Sequence, residues 1–245
     1  MAGVNTGEKT KKHILVVDAN AVDRFSTCIL LQRFGYYIFT ASTPEDAVEF
    51  MSVSRPSAIV ADAGKAVLHL LSGIKKDPRF SNIPLILLSS SDTALEDHRN
   101  RGGRIAAYLR KPIRVEEFYW ILQSVIEKMQ RRNIRIPTHL AAALEDKFAA
   151  DSGFVSDLSE KGMFFHSLEP RPLNTHIPIS VEILGRTILL EAVVLYRTFA
   201  EEGSFHKPGM GMKFEKISPM DRDLIKTFIL DQVREGLSRQ RYYNC

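Results

Sequence analysis

Short apolar runs alternate with amphipathic stretches through the first half of the chain. His13–Asp18 and Ala58–Asp62 are apolar runs that each end in an acid, and Pro84–Ser89 is a third apolar run, ending in a serine. Runs of this length, apolar throughout, predict strands buried on both faces of a parallel sheet. Tyr36–Thr40 and Ile105–Leu109 predict two more strands. Between them, Ala21–Phe34 places Val22, Phe25, Ile29, Leu30 and Phe34 near helical spacing, with Gly35 as the stop. Pro44–Ser52 predicts a helix with Ala47, Val48 and Met51 inward. Val67–Lys76, Asp92–Asn100 and Val115 to about Met129 complete the helices. Strand and helix in strict alternation predict an α/β unit, a five-stranded parallel doubly wound sheet with helices on both faces.

After Met129 the period changes. Ile136–Leu144, Phe148–Val155, Met163–His166, Ile177–Ile183, Thr187–Arg197 and Gly211–Phe214 predict strands, punctuated by Gly153, Pro170-Arg-Pro172, Gly185 and Pro208-Gly209. Ile177, Ile179, Val181 and Ile183 share one face. Six strands with no intervening helix predict a second, all-β unit, an antiparallel barrel. Ser218-Pro219 opens a helix running to about Leu237, with Ser as cap and Pro at its first position. Leu224, Ile225, Phe228, Ile229 and Val233 fall on its inner face.

Two units fit the length of 245 residues. The boundaries drawn are a disordered polar tail at 1–12, one domain at 13–129 and another at 130–245, with a hinge over 128–136. A net charge of +4 is mild, and the basic and acidic residues divide evenly enough that any anion site must be local. The chain carries two cysteines, Cys28 and Cys245, too few and too far apart for a disulfide framework or a metal knuckle. His166, His176 and His206 lack metal-ligand spacing. No apolar run reaches the length of a membrane span, so a cytoplasmic protein without membrane insertion is expected.

In parallel sheets, ligands sit beyond the carboxyl ends of the strands. Asp18, Asp62, Ser89 and Lys111 all fall at or just after predicted strand ends. Carboxylate oxygens there suit Mg²⁺, and a lysine offsets phosphoryl charge. These positions resemble the response-regulator receiver domain. The resemblance implies Asp62 as phosphoacceptor, Ser89 as the hydroxyl after the fourth strand, Lys111-Pro112 as the conserved-type pair after the fifth, Tyr108 as the switch aromatic, and Asp18 and Asp62 as metal ligands. Two departures bear on it. Ala19 stands where the family has a second acid, and the loop Ala63-Gly-Lys-Ala66 is short. Phosphorylation of Asp62 and a pseudo-receiver that only docks or dimerises both stay open. Lys65, beside the site, could substitute for cation charge. Arg99, Arg101, Arg104, Arg110 and Arg114 form a solvated or docking face, and Tyr119 and Trp120 are expected in a core or interface.

In the second half, Arg131…Arg135 stands at the junction and Asp157…Ser159…Gly162 in a turn between two strands. Arginine forks pair with phosphate or the O6/N7 edge of guanine, and a carboxylate accepts from guanine N1–H and N2–H. Serine and exposed backbone N–H groups suit phosphate, and Gly162 would take a backbone conformation closed to other residues. The combined ligand is a guanine nucleotide with phosphodiester charge. No Walker loop is present. Both motifs, followed by Gly209-Met-Gly211-Met-Lys-Phe214 and Ser218-Pro219, resemble the PilZ domain. That resemblance implies binding of cyclic di-GMP by Arg131, Arg135, Asp157, Ser159 and Gly162, with Arg132 as a helper, the arginines lying on a flexible segment that wraps the ligand. The Arg131 segment is expected to continue the preceding helix.

The function expected is a bacterial signalling protein, not an enzyme, that binds cyclic di-GMP and couples it to a receiver-like domain. Its partners would be a sensor histidine kinase, an unidentified downstream protein and a second copy of the chain. No helix-turn-helix follows, so DNA is not expected. The alternative is a phosphorelay regulator or pseudo-receiver scaffold whose barrel docks a protein and binds no nucleotide.

Overall fold

The computed structural model describes residues 12–92, 105–127, 130–131, 133–145, 151–199 and 208–238. Most of the expected tail, the expected helix after Asp92, Arg132, part of the hinge, Arg99, Arg101, Arg104, His206 and Cys245 lie outside them. The chain divides into two compact units, the second of them Arg132–Glu235 and the first the residues on either side of it.

The first unit is a parallel sheet in the order β2-β1-β3-β4-β5. Its strands are β1 (His13–Val17), β2 (Tyr37–Ala41), β3 (Ala58–Asp62), β4 (Leu85–Ser89) and β5 (Ile105–Arg110). β1, β3 and β4 are central, and their apolar runs are buried on both faces as the unbroken hydrophobicity predicts. Leu15, Ile59, Leu85 and Leu87 are at most 1% exposed, each worth about 1.5–3 kcal/mol in burial. β2 is an edge, and Tyr37 and Phe39 stay partly exposed on it.

Helices α1 (Ala21–Arg33), α2 (Pro44–Val53), α3 (Val67–Lys76) and α4 (Val115–Ile126) surround this sheet. Asn20 caps α1 by accepting the N–H groups of Val22 and Asp23, and Thr43 caps α2 ahead of Pro44. α1 buries Thr27, Cys28, Leu30 and Leu31, whereas Val22 and Phe25 are half or more exposed. The predicted apolar face was drawn too wide: Thr27, Cys28, Leu30 and Leu31 define the inward face, and Val22 and Phe25 fall on its flank. Tyr119 is fully buried, edge-on to Phe34, while Trp120 is partly exposed.

α4 ends at Ile126, short of the predicted Met129, because Glu127 is already extended. Lys12 finishes the helix: its ammonium donates to the Ile126 carbonyl at 2.7 Å and pairs with the Glu127 carboxylate at 2.8 Å, a cation at the carbonyl end of the helix dipole. The segment bearing Arg131 therefore does not continue the helix.

The second unit is a closed antiparallel barrel in the order β10-β11-β8-β7-β6-β9. Its strands are β6 (Arg135–Leu144), β7 (Asp151–Ser159), β8 (Gly162–His166), β9 (His176–Ile183), β10 (Arg186–Thr198) and β11 (Gly209–Lys216). Ile177, Ile179, Val181 and Ile183 line its interior as expected, with Val155, Leu158, Phe165, Val194 and Met210. Ile183 pairs with Arg186 across Leu184-Gly185, both at positive φ, the two-residue turn whose twist suits a hairpin. Helix α5 (Pro219–Ser238) starts at Ser218, which accepts the Asp221 N–H. Its residues Ile225, Phe228, Ile229 and Val233 are buried.

Candidate functional site

The Asp157…Gly162 motif is mostly strand. Asp157 and Ser159 are the last outward residues of β7, only Glu160 and Lys161 form the turn, and Gly162 opens β8. Strand pairing carries through to Ser159 opposite Gly162, so the predicted loop shrinks to two residues. Gly162 is not at positive φ, unlike Gly35 and Gly185. Its need for glycine is close approach: an added Cβ would stand 2.3 Å from the Met212 carbonyl oxygen.

Register assembles the barrel site. Arg135 lies opposite Ser159 and Pro137 opposite Asp157 across β6 and β7. Ile136 and Leu158, between them, are buried. Arg135, Asp157 and Ser159 therefore share the outer face of one strand pair. Asp157 is half-buried and accepts from the Ser156 hydroxyl at 3.0 Å. Ser159 is buried and donates its hydroxyl to the Gly162 carbonyl at 2.9 Å. Its proton closes the turn. A planar fork, a carboxylate and turn N–H groups on one surface can bind an anionic ligand with a donor-rich edge.

Arg131 belongs to the first unit by its backbone. Its N–H donates to the Gln123 side-chain oxygen at 3.3 Å, and the same amide donates to the Tyr36 hydroxyl at 3.3 Å. Gln123 is 2% exposed on α4. Burial, with Glu127 nearby, pushes the Tyr36 phenol far above its ordinary range, so it stays neutral. The amide thus ties Arg131 to the core of the sheet.

At the carboxyl edge of the sheet, Lys111 reaches three carboxylates: Asp18 at 3.0 Å, Asp23 at 2.7 Å and Asp62 at 2.8 Å. Asp18 and Ser89 are buried, and Tyr108 packs partly buried against the core. Burial works against the Lys111 charge, but the hydrogen bonds it donates to Asp23, Asp62 and Asp18 outweigh it and raise its pKa above the usual lysine range. Asp62 also accepts the Gly64 N–H at 2.9 Å, and Ser89 accepts the Ser91 N–H at 3.0 Å. Lys65 is exposed. The Lys111–Pro112 peptide is cis.

Asp23 was missed in the sequence. It supplies from the first turn of α1 a third carboxylate, where Ala19 had seemed to leave only two. The available signal was Asn20: a cap there sets Asp23 three residues on, at the helix start beside the strand end. Three carboxylates around one ammonium are a hard-oxygen set that fits a divalent cation.

His176 also has neighbours that spacing hid. Its Nδ1 lies 2.9 Å from Glu215 and 3.7 Å from Glu191, on adjacent strands of the barrel. Among the described residues this is a group whose ligand atoms converge closely enough to hold a metal ion. Glu191 is engaged on its other side by Lys216 at 2.9 Å, which holds its carboxyl below the usual range.

Residues 129–231 match the PilZ domain family. The amino-terminal half is similar to receiver-bearing proteins. It is 28% identical over 127 residues to histidine kinase P4 of Formosa agariphila, covering 51% of this chain and 9% of that protein. It is 25% identical over 117 residues to the two-component response regulator ORR12 of Oryza sativa subsp. japonica, covering 46% of this chain and 97% of that one. Among solved structures, the receiver domain of sensor histidine kinase PA1611 from Pseudomonas aeruginosa, with a magnesium ion in its cleft, aligns at 25% identity and a TM-score of 0.42. The alignment covers 47% of this chain and 98% of that one. No helix among the described residues is long and apolar enough to cross a membrane.

Proposed function

We propose that this chain, a receiver-like domain followed by a PilZ domain, is a cytoplasmic signalling switch that binds cyclic di-GMP on its barrel. The observation that carries this reading is the placing of Arg135, Asp157 and Ser159 on one outer face by the pairing of β6 with β7. Arg135 and Arg131 supply forked cations to phosphate and the guanine O6/N7 edge, with Arg132 as a helper. Asp157 accepts from guanine N1–H and N2–H. Ser159 and Gly162 hold the turn whose backbone faces the ligand. A binding-driven switch needs the ligand to favour one arrangement of the chain over another.

In the receiver-like domain, Asp62 is the phosphoacceptor. Its carboxylate oxygen attacks phosphorus on a phosphohistidine of a partner kinase, the P–N bond breaks and the imidazole leaves. Asp18, Asp23 and Asp62 would hold Mg²⁺, which neutralises phosphoryl charge when bound. Lys111 takes up part of the same charge from the side of β5.

Calorimetry on the full chain tests the nucleotide reading. Wild type is expected to bind cyclic di-GMP, with Arg131→Ala, Arg135→Ala and Asp157→Ala each weakening binding at least about tenfold, the scale of a lost charge-assisted hydrogen bond. Absence of binding by wild type would leave the barrel as a protein-docking module. Labelling with acetyl phosphate and Mg²⁺ should modify wild type and spare Asp62→Asn; equal labelling of the two would remove Asp62 from the reading.

A further inference from the structure

The barrel carries partly exposed aromatic rings whose placement follows from register. Pairing sets Pro137, Asp157, Phe164, Gly211 and Tyr196 in one transverse row across β6, β7, β8, β11 and β10. On β8 and β11 the residues that flank this row, Met163, Phe165, Met210 and Met212, are buried, as are Ile136 on β6 and Leu158 on β7. The row therefore faces outward. Phe164 is half-buried and Tyr196 is 43% exposed, their ring centroids 6.1 Å apart and tilted by 36°.

Two glycines let these rings lie down. A Cβ on Gly211 would stand 2.0 Å from the Tyr196 ring, and one on Gly209 would stand 2.7 Å from the Phe164 ring. Each ring rests against the backbone of β11, and both keep part of their surface exposed to solvent. The surface continues into the next row, where Phe154 and His166 stack at 4.3 Å and 23°. Covering bare glycines explains why the rings lie flat. It does not require them to share a row with a carboxylate.

That juxtaposition suits a purine. Adjacent strands are about 4.8 Å apart, so Phe164 begins about 5 Å from the Asp157 backbone and Gly211 about 10 Å away. A base lying over that interval presents its Watson–Crick edge to Asp157 and its π-face to the rings. We propose that Phe164 and Tyr196 form the stacking floor for the guanine whose N1–H and N2–H groups Asp157 accepts. The floor rests on the cyclic di-GMP reading and deepens it. Stacking supplies affinity that any base could share, and Asp157 supplies the choice of guanine.

The test is calorimetry of the full-length chain with cyclic di-GMP, with thermal melting as the check on folding. Phe164→Leu and Tyr196→Leu keep apolar bulk and remove the π-face. Each is expected to raise Kd about tenfold, while Tyr196→Phe, which keeps the ring, stays within about twofold of wild type. Leucine variants that bind as wild type does overturn the floor while leaving the cyclic di-GMP reading intact. If the leucine variants melt too low to use, proton NMR of the ligand on wild type decides. Ring currents move guanine H8 upfield on a stacking floor, and an unshifted H8 at saturation overturns it. A wild type that binds no cyclic di-GMP fells the parent reading and the floor together.

Discussion

The two domains build their candidate sites in opposite ways. In the parallel sheet, strand ends converge at one edge, so Asp18, Asp62, Ser89 and Lys111 meet from residues 93 positions apart at the widest, and Asp18 and Ser89 are buried. Opposite charges there already satisfy one another through Lys111. In the barrel, Arg135 and Asp157 stand on the sides of strands, facing outward, with a packed interior behind them. A site at the end of a sheet is thus part of the fold's electrostatics, whereas a site on the side of a sheet is carried by the fold without holding it together. Substitutions at the first should cost stability and substitutions at the second should cost binding.

The largest expected effect tests the first half of that contrast. Lys111→Met leaves three carboxylates facing one another with no cation. The expected loss is roughly 2–3 kcal/mol, below the 3–5 of a fully buried pair because Asp23 and Asp62 keep some water. Urea unfolding followed by the single tryptophan, Trp120 on α4, measures it in the receiver-like domain. Millimolar Mg²⁺ should restore part of the loss, since it replaces one cation by another among the same oxygens. The sign with pH is fixed by the raised folded pKa of Lys111. Its contribution is complete below the ordinary lysine value of about 10.4 and fades as pH climbs through the higher folded value. The difference between wild type and variant should therefore be flat from about pH 6 to 9 and shrink only above it. A variant as stable as wild type would erase the distinction between the two sites.

A smaller effect on stability, with a larger one on binding, is expected across the domain boundary. Arg135→Ala and Asp157→Ala should shift the unfolding midpoint by no more than about 0.5 kcal/mol equivalent, the usual scale for substitutions on a domain's outer face. The same variants should lose cyclic di-GMP at least about tenfold. Loss of stability comparable to that of Lys111→Met would mean the barrel site is structural after all.

Most of the fold was legible because hydrophobic period and burial agree. β3 and α3 begin and end where the pattern places them, and β9 alternates as predicted. Misreadings arose where a tertiary contact decided. α4 stops early because Lys12, far away in sequence, takes its last carbonyl. Val22 and Phe25 are exposed because packing turns Thr27, Cys28, Leu30 and Leu31 of α1 inward instead. At the candidate sites, residue type singled out Asp18, Asp62, Lys111, Arg135 and Asp157, but only part of their company. Asp23 joins Lys111 only through the fold, and the Glu191–His176–Glu215 group needs three strands side by side. The reason Gly162 must be glycine lies in the neighbouring strand, at the Met212 carbonyl, and no local turn rule contains it.

The smallest effect probes that strand-side group, where charges face water as they do around Arg135. The Lys216 ammonium, by hydrogen bond and charge, holds the Glu191 carboxyl below the ordinary glutamate range, with His176 adding to it. A depressed carboxyl contributes stability above its unfolded pKa of about 4.3 and loses it as pH falls through the lower folded value. Lys216→Met should move the Glu191 midpoint upward, read from its carboxyl carbon by NMR titration, while the melting temperature at neutral pH stays where it was. Exposed pairs are screened and give little net stability, so a titration that moves without the melt is the signature of a side-of-strand site. A melt that falls along with it would mean that charge on the barrel's outer face holds the sheet together, as Lys111 does at the other sheet's edge.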